Sequence, residues 1–276
     1  MAISTAEKRA QFRRLHEAGC FVIPNPWDLG SARYLQHLGF QALATSSAGF
    51  AWTKGRPDNG ARCEEVLAHL TEIVAGVDVP VNADFEGGFA IDPEAVAVNV
   101  SRAVATGIAG LSIEDSTGNS QDPLFDLTLA VDRIRAARAA IDTVDPAAML
   151  IGRSEGFITG RPDLSETIRR LRAYAEAGAD CLFAPGLRTP EEVEAVVKAV
   201  APKPLNFVAG SPAFSVAQLA ALGVRRISLG GALARAAWGE FTRAAQNVVD
   251  AGSFAGFGRA VASVELNRLF RDKPLE

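Results

Sequence analysis

Residues 79–116 read VPVNADFEGGFAIDPEAVAVNVSRAVATGIAGLSIEDS, and this stretch decides the fold. Two short β-rich apolar runs, VPVNADFE (79–86) and GLSIEDS (110–116), flank a longer helical stretch that ends near Gly107. That order predicts a strand–helix–strand unit with parallel strands. Glycine tolerates the left-handed backbone that a helix end favours, so Gly107 reads as a C-cap feeding a short loop into the next strand.

The same unit recurs on both sides. Upstream strands are predicted in CFVIPNP from Cys20 and ALATSS from Ala42. Downstream ones are predicted in AMLIGRSEG from Ala148, CLFAPG from Cys181, PLNFVAG from Pro204 and RISLGG from Arg226. Amphipathic stretches such as SARYLQHL, CEEVLAHLTEIV, LSETIRRLRAYAEA and TPEEVEAVVKAV lie between them, and Gly39, Gly178 and Gly223 repeat the cap. Eight such units predict one α/β domain over residues 1–276, a closed (β/α)8 TIM barrel. No GxGxxG follows the first strand, as a dinucleotide-binding sheet would require. Residues 256–276 are extra to the eight units and carry a predicted helix, GRAVASVELNRLFRD, with apolar Val261, Val264, Leu266 and Leu269. A helix beyond a complete barrel predicts packing on a neighbouring subunit.

The 276 residues are 48% hydrophobic and 22% charged, ordinary for a soluble globular chain. A net charge of −4 argues against nucleic-acid partners. No apolar run reaches the ~20 residues of a membrane span, and MAISTAEKRA at the start does not resemble a signal peptide. Cys20, Cys63 and Cys181 are widely spaced without CxxC pairing, which points to a reducing, cytoplasmic setting.

In barrels of this kind the chemistry sits at the C-terminal strand ends. Those ends carry Asn82, Asp84 and Glu86, then Ser112, Glu114 and Asp115, then Arg153 and Glu155. Alternation along a strand puts Asn82, Asp84 and Glu86 on one face, Ser112 with Glu114, and Arg153 with Glu155. Several carboxylates would then converge on one guanidinium, an arrangement that invites a cation. Hard oxygens without nearby His or Cys favour Mg²⁺ or Mn²⁺ over zinc. All three histidines (His16, His37, His69) fall in predicted helices, leaving acid–base work to other groups. After the second strand, Thr45-Ser46-Ser47-Ala48-Gly49 opens a long loop through Trp52 and Asp58 whose small residues could cradle an anion. The polar STGNSQDPLFD (116–126) after the fourth strand reads as a lid or a connector.

The runs TSSAGFAWTKGRPD, VNADFEGG, LSIEDS, LIGRSEGF and PLNFVAGSPAFSVAQLAALGVRRISLGG resemble the isocitrate lyase/phosphoenolpyruvate mutase superfamily, in its phosphonomutase-like branch, over nearly the whole chain. The resemblance implies Mg²⁺-dependent chemistry on a small 2-oxo or 2-hydroxy acid, breaking a C–C or P–C bond through an enolate of pyruvate. It implies a homodimer or homotetramer that exchanges the C-terminal helix. It makes Ser46, Ser47, Ala48, Arg153 and Asn206 substrate-binding. Asp84, Glu86 and Glu114 become metal ligands or their neighbours. Asp58, Arg153 and Glu114 become catalytic, with Arg153 the cation over the developing enolate. The chain departs from its relatives at Asn82, where an Asp is usual. It departs again at STGNSQDPLFD, which lacks the Cys, His and Lys of the lyases, so isocitrate-type cleavage is not expected. Two other readings stay open. One is a phosphosugar barrel using Ala209-Gly210-Ser211 and Gly230-Gly231; the other is a non-catalytic binding relative.

Overall fold

The computed structural model describes residues 3–271, and all eight predicted strands form, each shorter than its apolar run. Helix α1 (Thr5–Glu17) leads into β1 (Phe21–Ile23) and α2 (Leu29–His37), and β2 (Leu43–Ala44) into α3 (Ser47–Thr53) and α4 (Cys63–Gly76). Next come β3 (Val81–Asp84), α5 (Pro93–Ala105), β4 (Gly110–Glu114), α6 (Leu127–Val144), β5 (Met149–Arg153) and α7 (Leu164–Glu176). Then follow β6 (Cys181–Phe183), α8 (Pro190–Val200), β7 (Leu205–Val208), α9 (Val216–Ala221), β8 (Arg226–Ser228) and α10 (Ala232–Ala251). A 3-10 turn (Ala255–Arg259) and α11 (Ser263–Arg271) complete the described chain.

The strands pair in parallel in the order β1-β8-β7-β6-β5-β4-β3-β2. The ring closes just beyond β1, where the Ala44 N–H donates to the Pro24 carbonyl at 3.0 Å. Asn25 Nδ2 donates to Thr45 O at 2.9 Å beside it. The chain is therefore a (β/α)8 barrel. The predicted caps hold: Gly39, Gly107, Gly178 and Gly223 have φ of 90, 92, 107 and 88°.

Two apolar layers hold the barrel. The outer one lies between strands and helices and includes Leu70, Ile73, Val100, Leu111, Ile134 and Val193. The inner one fills the barrel and includes Ile23, Ala44, Met149, Ile151, Cys181 and Phe183, with Phe12 contributed by α1. Phe12 plugs the N-terminal end. A Cβ on Gly110 would come within 3.0 Å of its ring, so the first position of β4 has no room for a side chain. Helix α1 is fastened there by buried cations: Lys8 donates to Val77 O and Arg9 to Ile108 O and Val104 O. These bonds tie α1 to carbonyls at and just beyond the ends of α4 and α5.

Two expectations need correction. The stretch after β2 is not one long loop, because Ser46 caps α3 by accepting from the Gly49 N–H. The C-terminal extension is not one helix from Gly258 either, since its first residues form the 3-10 turn; Asp272 at the end of that predicted helix lies outside the described residues. Within this chain α11 lies against α2, with Phe270 3.8 Å from where a Gly30 Cβ would sit.

Candidate active site

The C-terminal ends of the strands enclose a cavity of about 260 Å³. Ser46, Ser47, Ala48, Asp58, Asp84 and Arg153 all border it, together with Asn82, Ser112, Ser228 and Arg226. The barrel register explains the convergence: Asp84 lies opposite Ser112, and Glu114 opposite Arg153.

Arg153 is the hub. Its Nη1 lies 3.2 Å from Asp84 Oδ1 and 3.3 Å from Glu114 Oε2, and its Nε donates to Glu155 Oε1 at 2.5 Å. The guanidinium also sits 5.0 Å over the Phe183 ring. Burial opposes its charge, but Glu155, Glu114 and Asp84 outweigh burial and hold its pKa above the usual value. Nη2 makes no hydrogen bond to protein among the described residues. Burial raises the pKa of Glu114 well above the carboxylate range and raises Glu155 in the same direction, with Arg153 opposing both.

Asp84 is held from the other side by α3. The Ser47 N–H and hydroxyl both donate to its Oδ2, at 2.9 and 2.8 Å. Thr45 Oγ1 accepts from the Asp84 N–H at 3.0 Å. The Ser47 donors assigned to a substrate carboxylate thus engage Asp84 in this state. Asp58 stands on the exposed rim, where its Oδ1 accepts from the Asn59 N–H and lies 3.4 Å from Ser47 Oγ. Desolvation of its carboxyl, then the charge of Asp84, raises its pKa.

Glu86 does not follow the strand alternation. It lies past the end of β3 with φ +49°, a left-handed conformation uncommon for a side chain of this size. Its Oε1 is buried without a hydrogen-bond partner. Burial, then Asp84 and Asp58, pushes its pKa up to about 8. With Glu114 it borders a neighbouring cavity of about 320 Å³ beneath residues 116–118 and Phe125. Asp84, Glu86 and Glu114 therefore do not close around one point. Among the described residues no group of three His, Cys, Asp or Glu side chains is assembled to hold a metal. The physical reason is Arg153, which occupies the space between Asp84 and Glu114.

Asn206 also departs from expectation. It is fully buried and does not border the cavity; alternation along β7 puts Val208 there and Asn206 a layer below. Its Nδ2 donates to Ser228 Oγ at 3.0 Å, and its Oδ1 accepts from Arg226 Nε at 2.8 Å. After β8 the Leu229 and Gly230 N–H groups donate to Asn25 Oδ1, at 2.8 and 2.9 Å. A phosphate site there would need such donors free.

Asp115, expected only as one more strand-end acid, supports the site together with residues not expected to do so. Asp115 points away from the cavity and accepts from Arg170 Nη1 at 3.1 Å, Tyr174 Oη at 2.6 Å and the Glu155 N–H at 2.8 Å. It fixes the start of the β5–α7 loop and with it Glu155. Arg170 also donates to Phe125 O at 2.9 Å, which ties the end of the β4–α6 loop to the same post. Residues 116–125 form a small hairpin, with Ser116 bridged to Leu124. Arg133 donates to Gly87 O, Ala90 O and Ile91 O and stacks on Phe125, holding the loop after Glu86. The spacing of Arg170 and Tyr174, four apart on one helix face, is the signal that could have pointed to a shared partner.

Comparison with known proteins adds three kinds of likeness. The profile of the family described as phosphoenolpyruvate phosphomutase matches residues 12–249. The oxaloacetate decarboxylase of Pseudomonas paraeruginosa is 32% identical over 232 residues, covering 79% of this chain and 77% of that protein. A crystal structure presented as a lyase/mutase candidate from Burkholderia cenocepacia J2315 superimposes with a TM-score of 0.94 at 45% identity, covering 96% and 97% of the two chains. A phosphonopyruvate hydrolase solved with oxalate and Mg²⁺ gives a TM-score of 0.85 at 27% identity, covering 96% and 95%.

Proposed function

The chain belongs to the phosphoenolpyruvate phosphomutase family, within the isocitrate lyase/phosphoenolpyruvate mutase superfamily, and from that premise we propose that it is a lyase-type enzyme acting on a small 2-oxo or 2-hydroxy acid. From a 2-oxo diacid such as oxaloacetate the C3–C4 bond breaks, CO2 leaves and the electron pair stays as an enolate of pyruvate. From a 2-hydroxy acid the C2–C3 bond breaks, C2 becomes a carbonyl as its hydroxyl proton is lost, and the pair stays on C3 of the other product. The observation that carries this reading is Arg153, a largely buried guanidinium bordering the cavity and held by carboxylates of three successive strand ends.

The donor set suits a hard divalent cation, Mg²⁺ or Mn²⁺. Five carboxyls (Asp58, Asp84, Glu86, Glu114, Glu155) crowd one rim arginine, and the orphaned Glu86 Oε1 is an unused hard oxygen. Mg²⁺ takes one or two protein carboxylates and keeps several waters, so Asp84 would be its direct ligand at the cavity and Glu86, which borders the neighbouring cavity, would meet its water shell. Such an ion supplies Lewis-acid polarisation of the substrate's carboxylate and C2 oxygen.

The protein's own groups do the rest. The α3 segment Ser46-Ser47-Ala48 offers N–H and hydroxyl donors to the substrate carboxylate once Ser47 exchanges Asp84 for it. Arg153 directs Nη2 at the C2 oxygen, which gains negative charge as the C3–C4 bond of a 2-oxo acid breaks and which carries the alkoxide charge of a 2-hydroxy acid before its C2–C3 bond breaks. Glu155 and Glu114 hold that guanidinium fixed, so little reorganisation is needed at the moment of reaction. Asp58, with its raised pKa, stands at the rim to return a proton to C3. Phe183, Ile158 and Pro185 wall the cavity with apolar surface and limit water around the enolate.

The exposed apolar side chains of the C-terminal segment (Trp238, Phe241, Phe254, Phe257, Val264) support a homodimer or homotetramer. The test of function is pyruvate release from oxaloacetate, alkylmalates, methylisocitrate and phosphonopyruvate with Mg²⁺. Turnover of phosphonopyruvate alone would move the assignment to P–C bond chemistry.

A further inference from the structure

Inside the barrel, a layer below the rim, lies a second guanidinium that the mechanism above does not use. Arg226 is the first residue of β8, only 3% exposed, and it borders the floor of the active-site cavity. Ser228 stands above it on the same face, so the guanidinium arises about 7 Å below the rim. Among the described residues no carboxylate lies within ion-pair distance of it. Its protein acceptors are two amide oxygens, Asn206 Oδ1 at 2.8 Å and Asn82 Oδ1 at 3.4 Å. The Phe12 ring lies 5.9 Å beneath it.

The other buried arginines are compensated differently. Arg9 pairs with Asp145, Arg170 with Asp115 and Glu166, and Arg153 with three acids. Arg133 has no acid but donates to three backbone carbonyls. Arg226 uses two of the five N–H bonds a guanidinium carries. The carboxylate whose charge acts on it is Asp84, beyond ion-pair distance; a buried cation without a paired counter-charge is costly, so one facing a cavity asks for an anion. The two side chains it touches are the uncharged isosteres of the acids that would neutralise it. An Asp at either place would consume the charge; Asn orients the guanidinium and leaves the charge available.

We propose that Arg226, oriented by Asn206 and Asn82, is an anion site at the cavity floor that selects substrates bearing a second acidic group. The cavity is then bipolar. One carboxylate of the substrate is held at the rim by the α3 segment and Arg153, and the distal oxyanion is held below by Arg226. This rests on the reading of the cavity as the substrate site; oxaloacetate, alkylmalates, methylisocitrate and phosphonopyruvate all bear a second acidic group, and the proposal gives that group its place at the floor.

Malate and 2-hydroxybutanoate test it, because they differ only by a distal carboxylate in place of a methyl. Calorimetric titration with Mg²⁺ present is expected to show wild-type protein preferring malate by about thirtyfold or more, the worth of a charged hydrogen bond. Arg226→Met is expected to reduce that preference to about threefold or less. Asn206→Asp, which keeps the arginine and pairs it in place, is expected to do the same in a fully folded chain. Loss of preference in both variants supports the proposal even if no oxo acid in the screen is turned over, in which case the lyase reading alone fails. A wild-type protein that does not prefer malate overturns the proposal. So does a preference that survives either substitution, even in an enzyme that cleaves oxo acids.

Discussion

Replacing Arg153 with Met removes the cation from beneath Asp84, Glu114 and Glu155 while keeping most of the side-chain volume. Breaking a buried ion pair by deleting one partner costs about 3–5 kcal/mol, because the remaining charge is stranded. Here three carboxylates are stranded at once, and the response to pH carries the diagnostic. Glu114 and Glu155 already have raised pKa values through burial, with Arg153 the main opposing influence. Without it both rise further. A carboxyl whose folded pKa exceeds its unfolded one contributes stability at low pH that is lost as pH climbs through the folded value. The stability lost in Arg153→Met should therefore be about 3–5 kcal/mol near pH 8 and smaller near pH 5.5. Urea unfolding of wild type and variant at both pH values measures this directly. A loss that shrinks as pH rises would refute the claim that Arg153 is the electrostatic keystone. Arg153→Lys should recover part of the stability but not the turnover, since an ammonium cannot serve Asp84, Glu114 and Glu155 in one plane.

Other consequences follow from single contacts. Burial pushes the pKa of Glu86 up to about 8, so its carboxyl would have to give up a proton to serve a cation. Mg²⁺ affinity should therefore rise with pH by up to about tenfold per unit below 8, and Glu86→Gln should flatten that slope in a titration followed by calorimetry. Tyr174→Phe deletes the 2.6 Å bond to Asp115 and should cost about 1–3 kcal/mol in urea unfolding. Its effect on kcat should be small, since Arg170 still holds Asp115. Charged replacements at Phe254 and Phe257 should shift the protein to a smaller species in sedimentation velocity if these exposed rings seat a partner subunit.

Much of the fold was legible because its signals are local. The four glycine caps are places where the backbone needs positive φ, and each precedes a strand. The site was legible as far as strand alternation reaches. Asp84, Glu114 and Arg153 sit on adjacent strands, in register, and they do meet. Legibility stopped where the strands did. Glu86 is two residues past Asp84, but a left-handed residue turns it toward a different cavity. Asn206 is on the right strand but one layer too low, a distinction set by how far β7 runs before Ala209. Asp115 sits next to Glu114 on the opposite face, and its role depends on Arg170 and Tyr174 from a helix more than fifty positions downstream. The free charge of Arg226 depends on two asparagines brought together from β3 and β7 by barrel closure. Such partnerships are tertiary, and periodicity in one segment does not report them.

The measurement closest to the central claim is pyruvate release from the 2-oxo and 2-hydroxy acid panel, run with Mg²⁺, with EDTA, and with Asp84→Ala and Arg153→Ala. The expected result is turnover of at least one C–C substrate with Mg²⁺, and near-complete loss under the other three conditions. Undiminished release in EDTA, or from either variant, would contradict an enolate generated between Asp84 and Arg153.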